Sequence, residues 1–271
     1  MRWIIGDIHG MLKPLELLLD AIGRRDPTAE LIFAGDYVNR GPDSKGVVDL
    51  LLQLKRTRFV RGNHDDTFDL LLNGRCFAPH DQLATLVPTF EHFMKYGLEQ
   101  TLLSYGIEWA ALEQTRRHPT QQSIATLLDP VPIAHRQFFR KLPVVQEDNE
   151  FFVIHAKWDP DENAGEPSFA QQLSRSVQFR HDVIWGRFTG PEILSTKPWD
   201  RIGFFGHTPV TMYRKGEDIA PIVGTKCVLL DTACAVHIDG RLTAWCVEES
   251  TWLQVDRQGR WVREGTSELA Q

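Results

Sequence analysis

Short runs of β-branched, aromatic and other apolar residues recur along the chain, each ending abruptly in Gly, His, Asp or Asn. They are WIIGDIHG (3–10), ELIFAGDYVNRG (30–41), RFVRGNHD (58–65), FFVIHAKW (151–158) and IGFFGHTPV (202–210). Runs this short predict buried strands with loops leaving their C-terminal ends. Between the first three, apolar residues recur at three and four in KPLELLLDAIG (13–23) and DSKGVVDLLLQLKR (43–56), which predicts helices. Pro14 sits early in the first helix, where a missing N–H costs little, and Gly23 is its expected stop. The chain to about residue 65 therefore reads β-α-β-α-β, with parallel strands and right-handed crossovers.

The stretch from about 66 to 142 changes character. It is rich in helix formers and broken by Pro79, Pro88, Pro119, Pro130 and Pro132, so it is expected to be a helical insertion over the strand ends. No flexible linker flanks it, and residues 1–271 are expected to form one domain. Strand patterns then return. KCVLLDTA (226–233), GRLTAWCVEE (240–249) and TWLQVDR (251–257) predict an antiparallel meander, with turns at Asp239-Gly240 and Glu249-Ser250.

Taken singly, a Gly-Asp pair or a His after a strand is common in turns. In combination they mean more: Asp7 and His9, Asp36, Asn63 and His64, His155, and His207 each fall just past a separate predicted strand. In an α/β sheet such ends converge on one crevice. Oxygen ligands mixed with imidazoles suit a pair of divalent first-row metals better than a closed structural zinc site, which would want thiolates.

Composition narrows the class of partner. The net charge of −6 argues against a broad nucleic-acid footprint, because phosphate backbones demand clustered Lys and Arg. Cys76, Cys227, Cys234 and Cys246 form no CxxC pair and are expected to be reduced. No basic leader precedes a long apolar run and nothing approaches a membrane span, so a cytoplasmic protein that engages no membrane is expected.

The order GDIHG, GDYVNRG, GNHD, His155, GHT resembles the binuclear metallophosphoesterases, and more narrowly the bacterial branch of the phosphoprotein phosphatases. Segments GLEQTLLSYG, VPIAHRQFFRKLPVV, DVIWGRF and LLDTACAVHIDGRLTAW extend the resemblance over nearly the whole chain. It implies an α/β fold in which two mixed sheets pack face to face between helices (α/β/β/α). It also implies two divalent cations, manganese first, with iron or zinc as alternatives. Asp7, His9 and Asp36 would hold one cation, and Asp36, Asn63, His155 and His207 the other. A hydroxide shared by such a pair would attack phosphorus in line. Arg40, Arg61, Arg187 and Asn63 would bind the phosphate, and His64 would be the general acid.

Two departures stand out. Asn39 occupies a place where most of that family has Asp, so it is expected to accept a bond from His64 through its amide oxygen without supplying charge. Asp65 and Asp66 are expected to open a solvated helix. HAKW (155–158) replaces the family's small step after the histidine, adding the cation of Lys157 and the ring of Trp158, which is expected to pack. His80, His92, His118, His135, His181 and His237 lack ligand spacing, and the aromatic helix TFEHFMKYGLEQTLLSYG (89–106) is expected to be a core face.

The function expected first is a serine/threonine-type phosphatase acting on a phosphorylated protein or small phosphoester. A symmetrical dinucleoside tetraphosphate hydrolase comes second, favoured by Asn39 and by Asp65 in GNHD. An inactive phospho-binding module is the reading from another class, and complete metal ligands argue against it.

Overall fold

The computed structural model describes residues 1–78, 85–159, 169–214 and 219–267. Pro79, His80 and most of the acidic stretch 159–166 lie outside them. The strands are β1 (Arg2–Ile5), β2 (Glu30–Phe33), β3 (Thr57–Phe59), β4 (Val145–Glu147), β5 (Phe151–Ile154), β6 (Ile202–Phe205), β7 (Ile222–Gly224), β8 (Cys227–Leu229), β9 (Arg241–Cys246), β10 (Thr251–Asp256) and β11 (Val262–Thr266). Helices α1 (Leu12–Arg25) and α2 (Ser44–Leu51) separate the first three strands. Between β3 and β4 come α3 (Asn63–Asn73), α4 (Leu86–Met94), α5 (Leu98–Ser104), α6 (Trp109–Arg117), α7 (Gln121–Leu128) and α8 (Ile133–Lys141). Between β5 and β6 lie α9 (Phe169–Arg175), α10 (Val177–Trp185) and α11 (Gly190–Leu194).

Side-chain alternation along β1 sets the layers. Ile4 points to one face, where with Ile32 it meets Val153, Phe204 and Val228 of the other sheet. Trp3 and Ile5 point to the opposite face, against Leu15, Leu18 and Ile22 of α1 and Val47 and Val48 of α2. One sheet has the order β11-β10-β9-β1-β2-β3 and the other β4-β5-β6-β8-β7. Phe152, Ile154 and Phe205 of the second sheet pack outward on Val183 and Ile184 of α10 and Ile193 of α11. This is the expected stack of two mixed sheets between helices. Among the described residues no helix is long and apolar enough to cross a membrane.

Three local expectations are corrected. The KCVLLDTA stretch supplies β8, which pairs in parallel with β6 in the second sheet and takes no part in the meander. Its Cys227, Val228 and Leu229 are all buried, as a strand covered on both faces requires. The meander is β9-β10-β11, and β11 went unforeseen because VREGT alternates with exposed positions and carries a glycine. Helix α1 also runs through Gly23 to Arg25.

Candidate metal centre

Five strands deliver the site. Asp7 and His9 follow β1, Asp36 follows β2, Asn63 and His64 open α3 after β3, His155 follows β5 and His207 follows β6. All are buried, and the fold brings them together. Ligand atoms of Asp7, Asp36 and His155 lie within 4.8 Å of one another, as do those of His9, Asp36 and His64. Asp36 belongs to both groups, with Oδ2 at 3.4 Å from His9 Nε2 and Oδ1 at 3.4 Å from His155 Nε2. Asn63 Oδ1 lies 3.0 Å from His155 Nε2 and 2.9 Å from His207 Nδ1. Asp7 Oδ2 is 3.9 Å from His9 Nε2 and accepts the His207 backbone N–H at 3.0 Å.

The histidine rings are oriented for ligation. His9 Nδ1 faces the Val38 carbonyl at 2.9 Å, His155 Nδ1 that of Ala34 at 2.8 Å, and His207 Nε2 that of Trp185 at 3.2 Å. A proton on each carbonyl-facing nitrogen leaves the inward lone pair for a cation. Inward imidazoles, two carboxylates and an amide oxygen therefore fit two divalent cations sharing Asp36. His9 Nε2 also accepts from Arg40 Nη1 at 2.8 Å, so a cation there competes with the guanidinium for one lone pair.

Charge at the centre is unevenly balanced. Burial pushes Asp7 well above the usual carboxylate range, and the nearby Asp231 adds to that shift. Burial also opposes ionisation of Asp36, but His155, His64 and His9 together hold it well below the usual range. Burial disfavours a charged His155, yet Asp36 and Asp7 more than offset this and raise it to about 10. His9 goes the other way, to about 3, through burial and the neighbouring Arg40. His207, beside His155, is held well below its usual value by burial, His155 and Arg187.

The loops are held in a costly backbone conformation. His9, Asp36, Asn39, Arg40 and His207 all have φ between 49° and 72°. For residues with a Cβ this costs about 1–3 kcal/mol each and persists where surrounding contacts over-determine it. One such clamp is Asp65, whose carboxylate accepts the backbone N–H groups of Asp36, Tyr37 and Gly62 at 2.7–2.9 Å. Burial and Asp36 raise Asp65 to about 7. Gly62 has no alternative, since a Cβ there would lie 2.2 Å from Asp36 Oδ1. A second clamp comes from the helical segment: Arg40 N donates to Gly97 O at 3.1 Å, and Asn39 N to Thr101 Oγ1 at 2.8 Å. Gly97 has φ +89°, and a Cβ on it would lie 2.3 Å from Arg40 N.

Asn39 does reach His64: its amide and the ring Nδ1 meet at 2.8 Å, and the far end of the amide meets the Thr101 hydroxyl at 3.0 Å. The amide is neutral whichever of its ends faces the ring. Arg40 Nη2 donates to His64 Nε2 at 3.2 Å, and a neutral imidazole accepts at one nitrogen only. Burial holds His64 well below its usual pKa.

The three expected phosphate-binding arginines separate. Arg40 and Arg187 line a cavity of about 310 Å³ over the centre, together with Asn63, His64 and His207. Among the described residues neither is paired with a carboxylate; Arg187 Nη1 makes only long contacts, 3.4 Å each, to Thr208 Oγ1 and Met212 Sδ. Arg61 does not face this space. It is buried, with Nη1 2.9 Å from both Asp66 and Asp69 and its other nitrogens on the carbonyls of Leu142, Phe139 and Arg140. Its expected role in binding phosphate is therefore corrected to a structural one: every donor group is already committed.

Other residues depart from their expected places. Asp65 and Asp66 are buried, and Asp66 accepts the N–H groups of Phe77 and Ala78 at 2.7 and 2.9 Å. Trp158 packs on Phe169, as anticipated, and Lys157 is paired with Glu192 and Asp159 at 2.8 and 3.0 Å. Asp231, at the exit of β8, was missed: it is buried, Oδ1 accepts from Ala233 N, and Oδ2 has no hydrogen-bond partner among the described residues. Also missed were His92, Phe93, Tyr96, His181 and Trp185, which complete the cavity lining. The aromatic helix is a core face through Phe90, as expected, but it also turns rings toward the centre.

The sequence profile of the calcineurin-like phosphoesterase family matches residues 2–215. The chain is 24% identical to the asymmetrical bis(5'-nucleosyl)-tetraphosphatase of Oceanobacillus iheyensis, over 96% of this chain and 94% of that one. A shorter stretch of 81 residues is 40% identical to a symmetrical bis(5'-nucleosyl)-tetraphosphatase of Legionella pneumophila, covering 29% of either chain. Among solved structures, a mutant cold-active protein tyrosine phosphatase superposes with a TM-score of 0.54 at 14% identity, over 97% of this chain and 79% of that one. A protein provisionally described as a diadenosine tetraphosphatase gives 0.50 at 22% identity, over 90% and 87%. At these identities the structural likeness is one of fold.

Proposed function

The chain belongs to the calcineurin-like phosphoesterase family and is a hydrolytic enzyme, and from that premise we propose that it hydrolyses dinucleoside tetraphosphates at a two-cation site. The carrying observation is the neutral amide of Asn39 at 2.8 Å from His64 Nδ1. A carboxylate at position 39 would stabilise a protonated His64, and a serine or threonine alkoxide needs such an acid to leave. A nucleotide leaving from a phosphoanhydride departs as a stable anion, so a neutral His64 suffices. The full-length relative from Oceanobacillus, named for that class of substrate, supports the same choice. The serine/threonine phosphatase reading, placed first from sequence, has less behind it: the phosphatase that superposes at 0.54 is named for tyrosine and shares the fold alone.

When bound, the two cations would supply Lewis acidity and activate the attacking water. Asp7, His9 and Asp36 would hold one, and Asp36, Asn63, His155 and His207 the other. Arg40 and Arg187 would grip the oxygens of the attacked phosphate, since a guanidinium bonds them in pairs. His64, whose Nε2 faces Arg40 Nη2 at 3.2 Å, would donate from that nitrogen to the oxygen of the departing nucleotide once the guanidinium turns to phosphate. Burial of the whole set keeps these charges in a poorly screened environment, where each is stronger than in water.

The test is a side-by-side kcat/KM with manganese for diadenosine tetraphosphate and a phosphoserine peptide. A large preference for the dinucleotide is expected. Preference for the peptide would return the chain to the phosphatase reading. Product analysis, ADP alone against ATP with AMP, then fixes which anhydride is cut.

A further inference from the structure

One wall of the 310 Å³ cavity has no part in metal binding or phosphate contact. His92, in the last turn of α4, and Tyr96, just beyond it, stack with ring centroids 4.9 Å apart and planes tilted by 36°. Phe93 touches both, and its ring is 5.2 Å from that of His64. Trp185, at the end of α10, closes the side at 6.2 Å from Phe93. Tyr96 is 46% exposed and stands at the mouth. The cavity thus combines a buried floor of Asn63, His64 and His207 with two guanidinium groups and flat aromatic faces on its walls.

We infer that this wall, chiefly His92 and Tyr96, is a subsite for one nucleobase of the substrate. The inference rests on the dinucleoside tetraphosphate reading above and adds where the base lies. Every base presents a π-face, and stacking on an aromatic side chain tolerates base identity. His92 and Tyr96 lie 5.6 and 6.1 Å from Phe93, centroid to centroid, and line the same cavity as Arg40 and Arg187, so one ligand can meet both the guanidinium groups and the rings. A cavity this size takes one nucleotide arm, so the second nucleoside extends into solvent.

The experiment compares wild type, His92→Ala/Tyr96→Ala and Tyr96→Phe, all manganese-loaded. Substrates are diadenosine tetraphosphate, inorganic tetraphosphate (the same bridge without bases) and a phosphotyrosine peptide; AMP binding is measured by calorimetry. In the double variant the ratio of kcat/KM for the dinucleotide to that for inorganic tetraphosphate should fall about ten- to a hundredfold, mainly through KM. AMP affinity should fall in step, and Tyr96→Phe should keep both. An unchanged ratio, or an equal loss on the phosphotyrosine peptide, overturns the base subsite. If wild type ignores dinucleotides, the functional reading fails separately. AMP binding that the double variant loses would then still support the wall as a base site, and absence of AMP binding by wild type would overturn it.

Discussion

Asn39 sets a neutral amide 2.8 Å from Nδ1 of His64, and Thr101 holds that amide from its far end. The buried imidazole therefore has no carboxylate at that nitrogen to support its protonated form. Asn39→Asp should reverse this by accepting a proton from Nδ1 and raising the His64 pKa. A general acid works below its pKa, so the basic limb of the pH profile should move to higher pH. For a phosphoserine peptide kcat should rise about tenfold, while diadenosine tetraphosphate should gain little. Equal profiles for both variants on both substrates would show that position 39 does not tune His64.

Arg40 should have opposite effects on metal and on turnover. It donates to the His9 lone pair that faces the first ligand group. Arg40→Met should bind manganese several-fold more tightly, since a competing donor and a like charge are gone, and should lose about a hundredfold in kcat/KM. Metal titration by calorimetry separates the two; weaker manganese binding in the variant would contradict the competition.

Removing Arg61 should cost stability. Arg61→Met leaves Asp66 and Asp69 buried without their partner, a loss of about 3–5 kcal/mol. Urea unfolding measures it. Full stability together with a raised KM would restore Arg61 to the phosphate site.

Asp231 sets stability against metal affinity. It is a buried carboxylate with one unpartnered oxygen, close enough to Asp7 to raise it. Asp231→Asn should raise the melting temperature of the metal-free protein and weaken manganese binding about tenfold. A lower melting temperature without metal would mean that the carboxylate is satisfied locally.

The convergence of Asp7, His9, Asp36, Asn63, His155 and His207 was legible because each follows an apolar run that reads as a buried strand, and strand ends in such sheets converge. His155 and His207 needed no more than that. Asp231 was hidden because its importance arises from proximity to Asp7, at the far end of the chain. The roles of His92 and Tyr96 were hidden for another reason: rings four residues apart on a helix look alike whether they enter a core or a cavity. Arg61 misled because a guanidinium after a strand meets phosphate or buried carboxylate with equal ease, and only the placement of Asp66 and Asp69 decides. The β8 stretch joined the wrong sheet in sequence because a short apolar run carries no record of its partner.

Gly97 leaves the helical segment no freedom to diverge at one point. With its carbonyl on Arg40 N and no room for a methyl group, it makes the loop of residues 35–41 and the helices around 97–101 a single heritable unit. A one-residue slip between α4 and α5 would unseat Arg40. Anyone moving substrate preference between relatives should therefore transplant the loop and these helices together, since either alone would arrive without its mate.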